Sequence, residues 1–273
     1  MTVDPTDIEI DLLLEAVFRR YQHDFRRYAR VSVRRRLQRA LVVLACPSIS
    51  ALQEKVLHEE GAFAQLLSLL TVRVSELFRD PGFYASLRQS VVPVLATYPS
   101  LKVWVAGCAG GEEVYSLAIL FREEGLYDRT LFYATDIDPS ALRSAETGIF
   151  DAARAAAFTR SYQAAGGKSS LSDYYTAAYG GIKFDRALRK NIVFSDHSLS
   201  TDQVFAEVHL VTCRNVLMYF DRDLQDRAVG LFAESLVRRG FLALGTHETL
   251  LFCAHQDRFA TIDRRYRIYQ RVA

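Results

Sequence analysis

Lys102-Val103-Trp104-Val105-Ala106-Gly107-Cys108-Ala109-Gly110-Gly111-Glu112-Glu113-Val114-Tyr115-Ser116 reads as a buried strand, a glycine-rich turn and the opening of a helix. Glycines at such a turn let backbone approach a ligand where side chains would block it, so the stretch predicts a nucleotide-type pocket. Working outward, the same grammar repeats. Further strands are expected at Thr130 to Thr135, Asn191 to Phe194, Val208 to Thr212, Phe241 to Gly245 and Arg267 to Arg271, with the first at Leu101 to Ala106. Helices fit Glu113 to Glu124, Pro139 to Thr147 and Arg222 to Val237. Alternating strands and helices predict an α/β fold with a doubly wound, mostly parallel sheet, and the closely spaced last strands predict an antiparallel hairpin at one edge.

The second strand ends in Ala134-Thr135-Asp136-Ile137-Asp138. An acidic residue at that carboxyl edge is placed to grip a ribose diol by paired hydrogen bonds. Dinucleotides and S-adenosylmethionine share this requirement, and Glu112 and Glu113 separate them. Carboxylates at a helix start suit the helix dipole but repel a pyrophosphate, whereas the sulfonium and ammonium of S-adenosylmethionine are cationic. A third strand end, Cys213-Arg214-Asn215-Val216-Leu217-Met218-Tyr219-Phe220-Asp221, should bring Arg214, Asn215 and Tyr219 to the same crevice. A buried salt bridge and an aromatic core contact would explain those residues equally well.

The flanks differ from this core. Ile8 to Leu70 is helical in pattern, with Leu13, Val17, Tyr21 and Phe25 on one face, Pro47 as punctuation, and Ser48 or Ser50 as a cap. This unit carries Arg19, Arg20, Arg26, Arg27, Arg30, Arg34, Arg35, Arg36 and Arg39, against only Glu15 and Asp24 between Glu15 and Ala40. Such a run is either a solvated face or a dock for something acidic. Asp151 to Lys190 is too long for an ordinary connection and reads as an inserted subdomain or lid. The expected organisation is therefore a helical unit with linker over 1–80, and a cofactor-binding domain over 81–273 with an insertion at about 151–190.

Composition narrows the class. The 273 residues are 50% hydrophobic with a formal net charge of +2, which fits a packed enzyme without a strong overall field. Cys46, Cys108, Cys213 and Cys253 lie far apart, as reduced thiols of a cytoplasmic protein would, and no metal-ligand spacing occurs. Asp4, Asp7, Glu9 and Asp11 stand where a secretion signal would be basic, and no apolar run approaches the roughly 18 residues of a membrane span, so no membrane insertion is expected. The six histidines, His23, His58, His197, His209, His247 and His255, are scattered, and lone histidines are more often structural than catalytic.

Taken in order, Ser75-Glu76-Leu77-Phe78-Arg79-Asp80-Pro81, Ala106 to Ser116, Ala134 to Asp138, Cys213 to Asp221 and Gly245 to Leu250 resemble the CheR family, the glutamate methyltransferases of bacterial chemotaxis. The resemblance implies a methyltransferase sheet with an antiparallel last strand and a small all-helical N-terminal domain. It implies S-adenosyl-L-methionine as cofactor, leaving S-adenosyl-L-homocysteine, with Gly107, Glu113, Asp136, Ser198, Leu199, Arg214 and Asn215 around it. Arg79 and Tyr219 would serve the transferred methyl and the incoming carboxylate. Positions 73 and 75 also belong to the cofactor site, but here Arg73 stands for an asparagine and Ser75 for a threonine. Ser198 likewise replaces an asparagine, and Gly245-Thr246-His247-Glu248 replaces Gly-His-Ser-Glu. The cation at Arg73 would either repel the sulfonium or turn outward to hold the substrate carboxylate.

The expected partner is an acidic, glutamate-bearing helix of a methyl-accepting chemoreceptor-type protein, docked by Arg34, Arg35 and Arg36, with the enzyme a monomer and nucleic acid not a partner. The insertion has only Gly180-Gly181 where relatives that bind a receptor tail are richer in glycine. A glutamate carboxylate, with pKa near ~4.3, is already ionised at neutral pH, so esterification requires no general base. Two other readings stay open: a non-catalytic sensor of the cofactor or its product, and a nucleic-acid-modifying enzyme resting on the arginines alone.

Overall fold

A computed structural model of the chain describes residues 4–72 and 75–272. Four helices come first: α1 (Pro5–Tyr21), α2 (Arg30–Val43), α3 (Ile49–His58) and α4 (Ala62–Leu70). Asp4 and Ser48 cap α1 and α3 by accepting from the amides of Thr6 and Ala51. Helix α1 stops at Tyr21, where Gln22 turns left-handed, so Phe25 lies beyond it yet still fills the core of this unit.

Helix α5 (Pro81–Ser86) continues through a π-helical turn at Leu87–Val91 into α6 (Val92–Leu95). The sheet elements follow: β1 (Leu101–Ala106), α7 (Glu112–Glu123), β2 (Thr130–Asp136), α8 (Pro139–Thr147) and β3 (Ile149–Asp151). Next are α9 (Ala155–Ala164), β4 (Tyr175–Ala178), β5 (Gly181–Phe184), α10 (Arg186–Arg189) and β6 (Ile192–Asp196). The chain closes with β7 (Val208–Cys213), α11 (Arg222–Ser235), β8 (Leu236–Leu244), β9 (Phe259–Asp263) and β10 (Ile268–Arg271).

Seven strands form one sheet in the order β6-β2-β1-β7-β8-β10-β9, parallel except where β10 pairs with β8 and β9. This is the doubly wound arrangement with an antiparallel edge that the alternation predicted, although β9 was not foreseen. Strand β8 begins at Leu236, five residues before the expected Phe241, which shortens the preceding helix to Ser235. The order reverses direction between β1 and β7, and such a switch point opens a crevice at the strand ends. Two apolar layers cover the sheet, one centred on Val103, Val105 and Ile119 and one on Trp104, Val211 and Phe232.

Strands β3, β4 and β5 make a separate antiparallel sheet that begins at Ile149, two residues before the expected insertion of Asp151 to Lys190. It is tied to the main domain through Glu123 on α7, which accepts from the hydroxyls of Tyr162 and Tyr174 and the amide of Lys168, and pairs with Arg88. No helix among the described residues is long and apolar enough to cross a membrane.

Candidate functional site

The ends of β1, β2, β6 and β7 meet the helical unit around a cavity of about 330 Å³. That volume is in the range of small-molecule sites. Gly107 and Gly111 turn with φ of +74° and +94°, and a Cβ on Gly111 would come within 3.0 Å of Ala145. Only glycine therefore closes this turn at low cost and lets Gly107, Cys108 and Ala109 line the cavity. Asp136, at the end of β2, accepts from the amides of Ala109 at 2.9 Å and Asp138 at 3.0 Å. Burial pushes its carboxyl above the usual value, against those amides, which hold it down.

The two adjacent carboxylates part company. Glu113 lines the cavity, while buried Glu112 turns to Arg154 of the insertion at 2.9 Å. Arg214 is almost wholly buried and ion-pairs with Asp80 at 2.7 Å and Glu113 at 3.2 Å beneath the Phe83 ring. Its guanidinium thus fixes the acidic wall. Both readings of Arg214 hold together: it borders the cavity and is a buried salt bridge. Asn215, with φ of +61°, receives its geometry from Glu248, a buried carboxylate that accepts from the amides of Asn215, Met218 and Gly245. Sequence reasoning placed Glu248 in a motif but gave it no role.

Arg79 and Tyr219 line the same cavity. Phe78 and Asp80, on either side of Arg79, have φ of +53° and +56°, conformations uncommon for such residues and concentrated where function over-determines the backbone. Arg79 has no ion-pair partner among the described residues, so its guanidinium remains available. Ser75 and Leu199 also line the cavity, whereas Ser198 does not and bonds to the hydroxyl of Ser200. Arg73 falls outside the described residues.

The arginines of the helical unit are not one patch. Arg19 and Arg26 pair with Glu15, Arg26 also with Asp24, Arg27 with Asp221 and Asp223, and Arg30 with Asp7 and Asp11. The expected docking set, Arg34, Arg35 and Arg36, divides three ways. Arg34 pairs with Asp4 and Asp7 at 2.8 Å each, Arg35 is exposed, and Arg36 is buried. Arg36 donates to the Leu70 carbonyl, lies 4.3 Å over the Tyr219 ring and borders the cavity. Its pattern signalled this: Val33, Leu37 and Ala40 form the buried face of α2, and position 36 falls on it. Tyr28, Thr71 and His197 also line the cavity without having been foreseen.

The donor set fits S-adenosylmethionine. Glu113 would give an anionic neighbour for its cationic part, Asp136 a carboxylate for a diol, and Ile137, Leu199 and Val216 apolar walls for a base.

The family models agree on the cofactor. Residues 73–268 match the family model "CheR methyltransferase, SAM binding domain", and residues 8–71 match "CheR methyltransferase, all-alpha domain". The chain is 53% identical to the Pseudomonas putida protein Cher3 over 266 residues, covering 97% of each. It is 33% identical over 192 residues to a chemotaxis protein methyltransferase of Listeria monocytogenes, covering 68% of this chain and 69% of that one. A solved structure, PKMT2 from Rickettsia typhi in complex with AdoHcy, aligns with 53% of this chain and 20% of its own at 12% identity and a TM-score of 0.33.

Proposed function

The chain belongs to the CheR methyltransferase family, and from that premise we propose that it methylates glutamate side chains of a methyl-accepting chemoreceptor-type protein in the cytoplasm. The observation that carries this reading is that carboxylates and guanidinium groups line one cavity. Asp136 and Glu113 give the lining an acidic side at the strand ends, while Arg36, over the Tyr219 ring, and Arg79 bring guanidinium groups to the same lining. The acidic side suits the cofactor, which supplies an electrophilic methyl group when bound. The guanidinium groups suit a carboxylate.

A glutamate carboxylate is ionised at neutral pH, so the protein has to orient it and does not have to remove a proton. The guanidinium of Arg79 presents a planar fork that a carboxylate can meet through two hydrogen bonds. Arg36 stacks over the Tyr219 ring by a cation–π contact and adds positive charge. Residues Thr71 and Val72, between the helical unit and α5, form part of the cavity lining. Positioning of this kind contributes about 7 to 11 kcal/mol in well-aligned systems. The chemotaxis protein methyltransferase name of the Listeria relative supports the choice of substrate class.

The test is transfer of radiolabelled methyl from S-adenosylmethionine into receptor-containing membranes, followed by base hydrolysis. Base-labile label in the receptor band is expected. Tight cofactor binding with no labelled ester in any protein would instead identify a sensor of the cofactor.

A further inference from the structure

Arg79 sits in a stretch that belongs to no helix or strand, between the end of α4 at Leu70 and the start of α5 at Pro81. On either side of it Phe78 and Asp80 turn left-handed, which a bulky residue such as phenylalanine does only where its surroundings hold it. Helix α7 and the inserted subdomain supply that hold.

On α7, the fully buried Ser116 hydroxyl donates to the Glu112 carbonyl at 2.7 Å and accepts from the Phe78 amide at 2.8 Å. Its proton is used within the helix and its lone pair on the residue before Arg79. Back-bonding of a serine to its own helix is neutral or slightly unfavourable for that helix, so the gain lies at Phe78. From the insertion, Arg154 donates to the Ser75 carbonyl and pairs with the buried Glu112 carboxylate at 2.9 Å, while Tyr162 on α9 packs edge-on against the Phe78 ring at 5.2 Å. Both anchors meet at Glu112, whose carbonyl takes the serine proton and whose carboxylate takes the arginine. The head of α7 thereby joins the insertion to the segment that carries Arg79.

Neither Ser116 nor Arg154 is part of the cavity lining. We propose, on the reading that Arg79 meets the substrate carboxylate, that Ser116 and Arg154 are positioning residues for Arg79, which they serve by fixing the backbone at Phe78 and Ser75.

A double-mutant cycle on methyl transfer to receptor-containing membranes tests this. Ser116→Ala and Arg154→Met should each lower turnover about 10-fold, within the range of a small misplacement of a reacting group. In an Arg79→Ala background either change should cost less than about 2-fold, because the group it serves is gone. Equal losses in both backgrounds would mean a general weakening of the fold and would overturn the assignment. The S-adenosylhomocysteine affinity of Ser116→Ala should stay within about 3-fold of the wild type, and a larger loss would assign Ser116 to the cofactor instead. A further measurement requires no activity. The Phe78 amide proton should exchange slowly with deuterium in the wild type and about 10-fold or more faster in Ser116→Ala. Fast exchange in the wild type, or an unchanged rate in the variant, would overturn the hold on Phe78. Exchange is followed without substrate, so a wild type that labels no receptor would remove the substrate reading and leave this decision intact.

Discussion

The strand-end wall of the cavity is shaped by backbone, whereas the helical wall is shaped by side chains pairing with one another. On the first side, Asp136 sits on the amides of Ala109 and Asp138, and Glu248 holds the Asn215 to Met218 turn by three amides. Amide geometry follows from glycine positions and strand ends, so local sequence determines it. On the second side, Arg35 and Arg36 are chain neighbours with opposite fates, one in solvent and one over Tyr219. A count of arginines overlooks this. Charge on a helix acquires meaning only from the face it occupies and from acidic residues elsewhere in the chain, here Asp4, Asp7 and Asp11.

The contrast can be broken most severely at Arg214, a cation buried on the strand side. Arg214→Met leaves Asp80 and Glu113 without their shared partner and should destabilise the protein by about 3 to 5 kcal/mol, read from denaturant unfolding. A loss below about 1 kcal/mol would mean that the carboxylates find other partners.

Next is Arg79, a cavity cation without an ion-pair partner among the described residues. Arg79→Ala should lower turnover about 100-fold, a misorientation effect, while changing S-adenosylhomocysteine affinity by about 3-fold or less. Tyr219→Phe should fall in the same direction by a smaller factor. Lost cofactor affinity with unchanged turnover at saturation would overturn their assignment to the incoming carboxylate.

Asp136→Ala should weaken S-adenosylhomocysteine roughly 30- to 150-fold, or about 2 to 3 kcal/mol. Because burial raises this carboxyl above its ordinary value, the charged form that best accepts from a diol is lost as pH falls through that raised value. Affinity should therefore decline on acidification at a pH above the usual aspartate range of about 3.9. For the empty protein the sign is opposite. A raised folded pKa contributes stability that is present at low pH and lost as pH rises through it. A pH-independent dissociation constant down to the onset of acid unfolding would contradict the ribose assignment.

The smallest effect belongs to the outer face of α2. Arg35→Glu with Arg39→Glu reverses two exposed charges that have no ion-pair partner among the described residues, and should raise the Michaelis constant for receptor a few-fold at low salt. The difference should shrink at high ionic strength, while cofactor affinity stays the same. Arg34→Glu is a poorer probe, since it also breaks pairs with Asp4 and Asp7. Receptor methylation equal to wild type at every salt concentration would make this face merely solvated.

Much of the sheet was legible because parallel strands buried on both faces leave near-continuous apolar runs, as in Val103-Trp104-Val105 and Leu210-Val211. The small antiparallel sheet was not. Tyr175-Thr176-Ala177-Ala178 is short and largely exposed, and its partner β5 is equally brief, so neither shows a usable period. Strand β9, Phe259-Ala260-Thr261-Ile262-Asp263, pairs through a bulge that shifts its register against β10. At the site, glycines and strand-end carboxylates pointed to themselves. His197 did not, because a lone histidine has no spacing to read.

Where the two walls join, the amide of Ala29 donates to the Tyr219 carbonyl at 2.8 Å, the amide of Asp221 donates to the Arg27 carbonyl at 2.8 Å, and Tyr28 bridges Phe220 antiparallel between them. This stitch means that the helical unit cannot lift away from the sheet without tugging on the segment that carries Tyr219. Entry and escape of a ligand become linked to the breathing of two hydrogen bonds, and the amide protons of Ala29 and Asp221 are natural timers for it. Their exchange with deuterium should slow when the cavity fills, so a kinetic gate could be followed at residues that never touch the ligand.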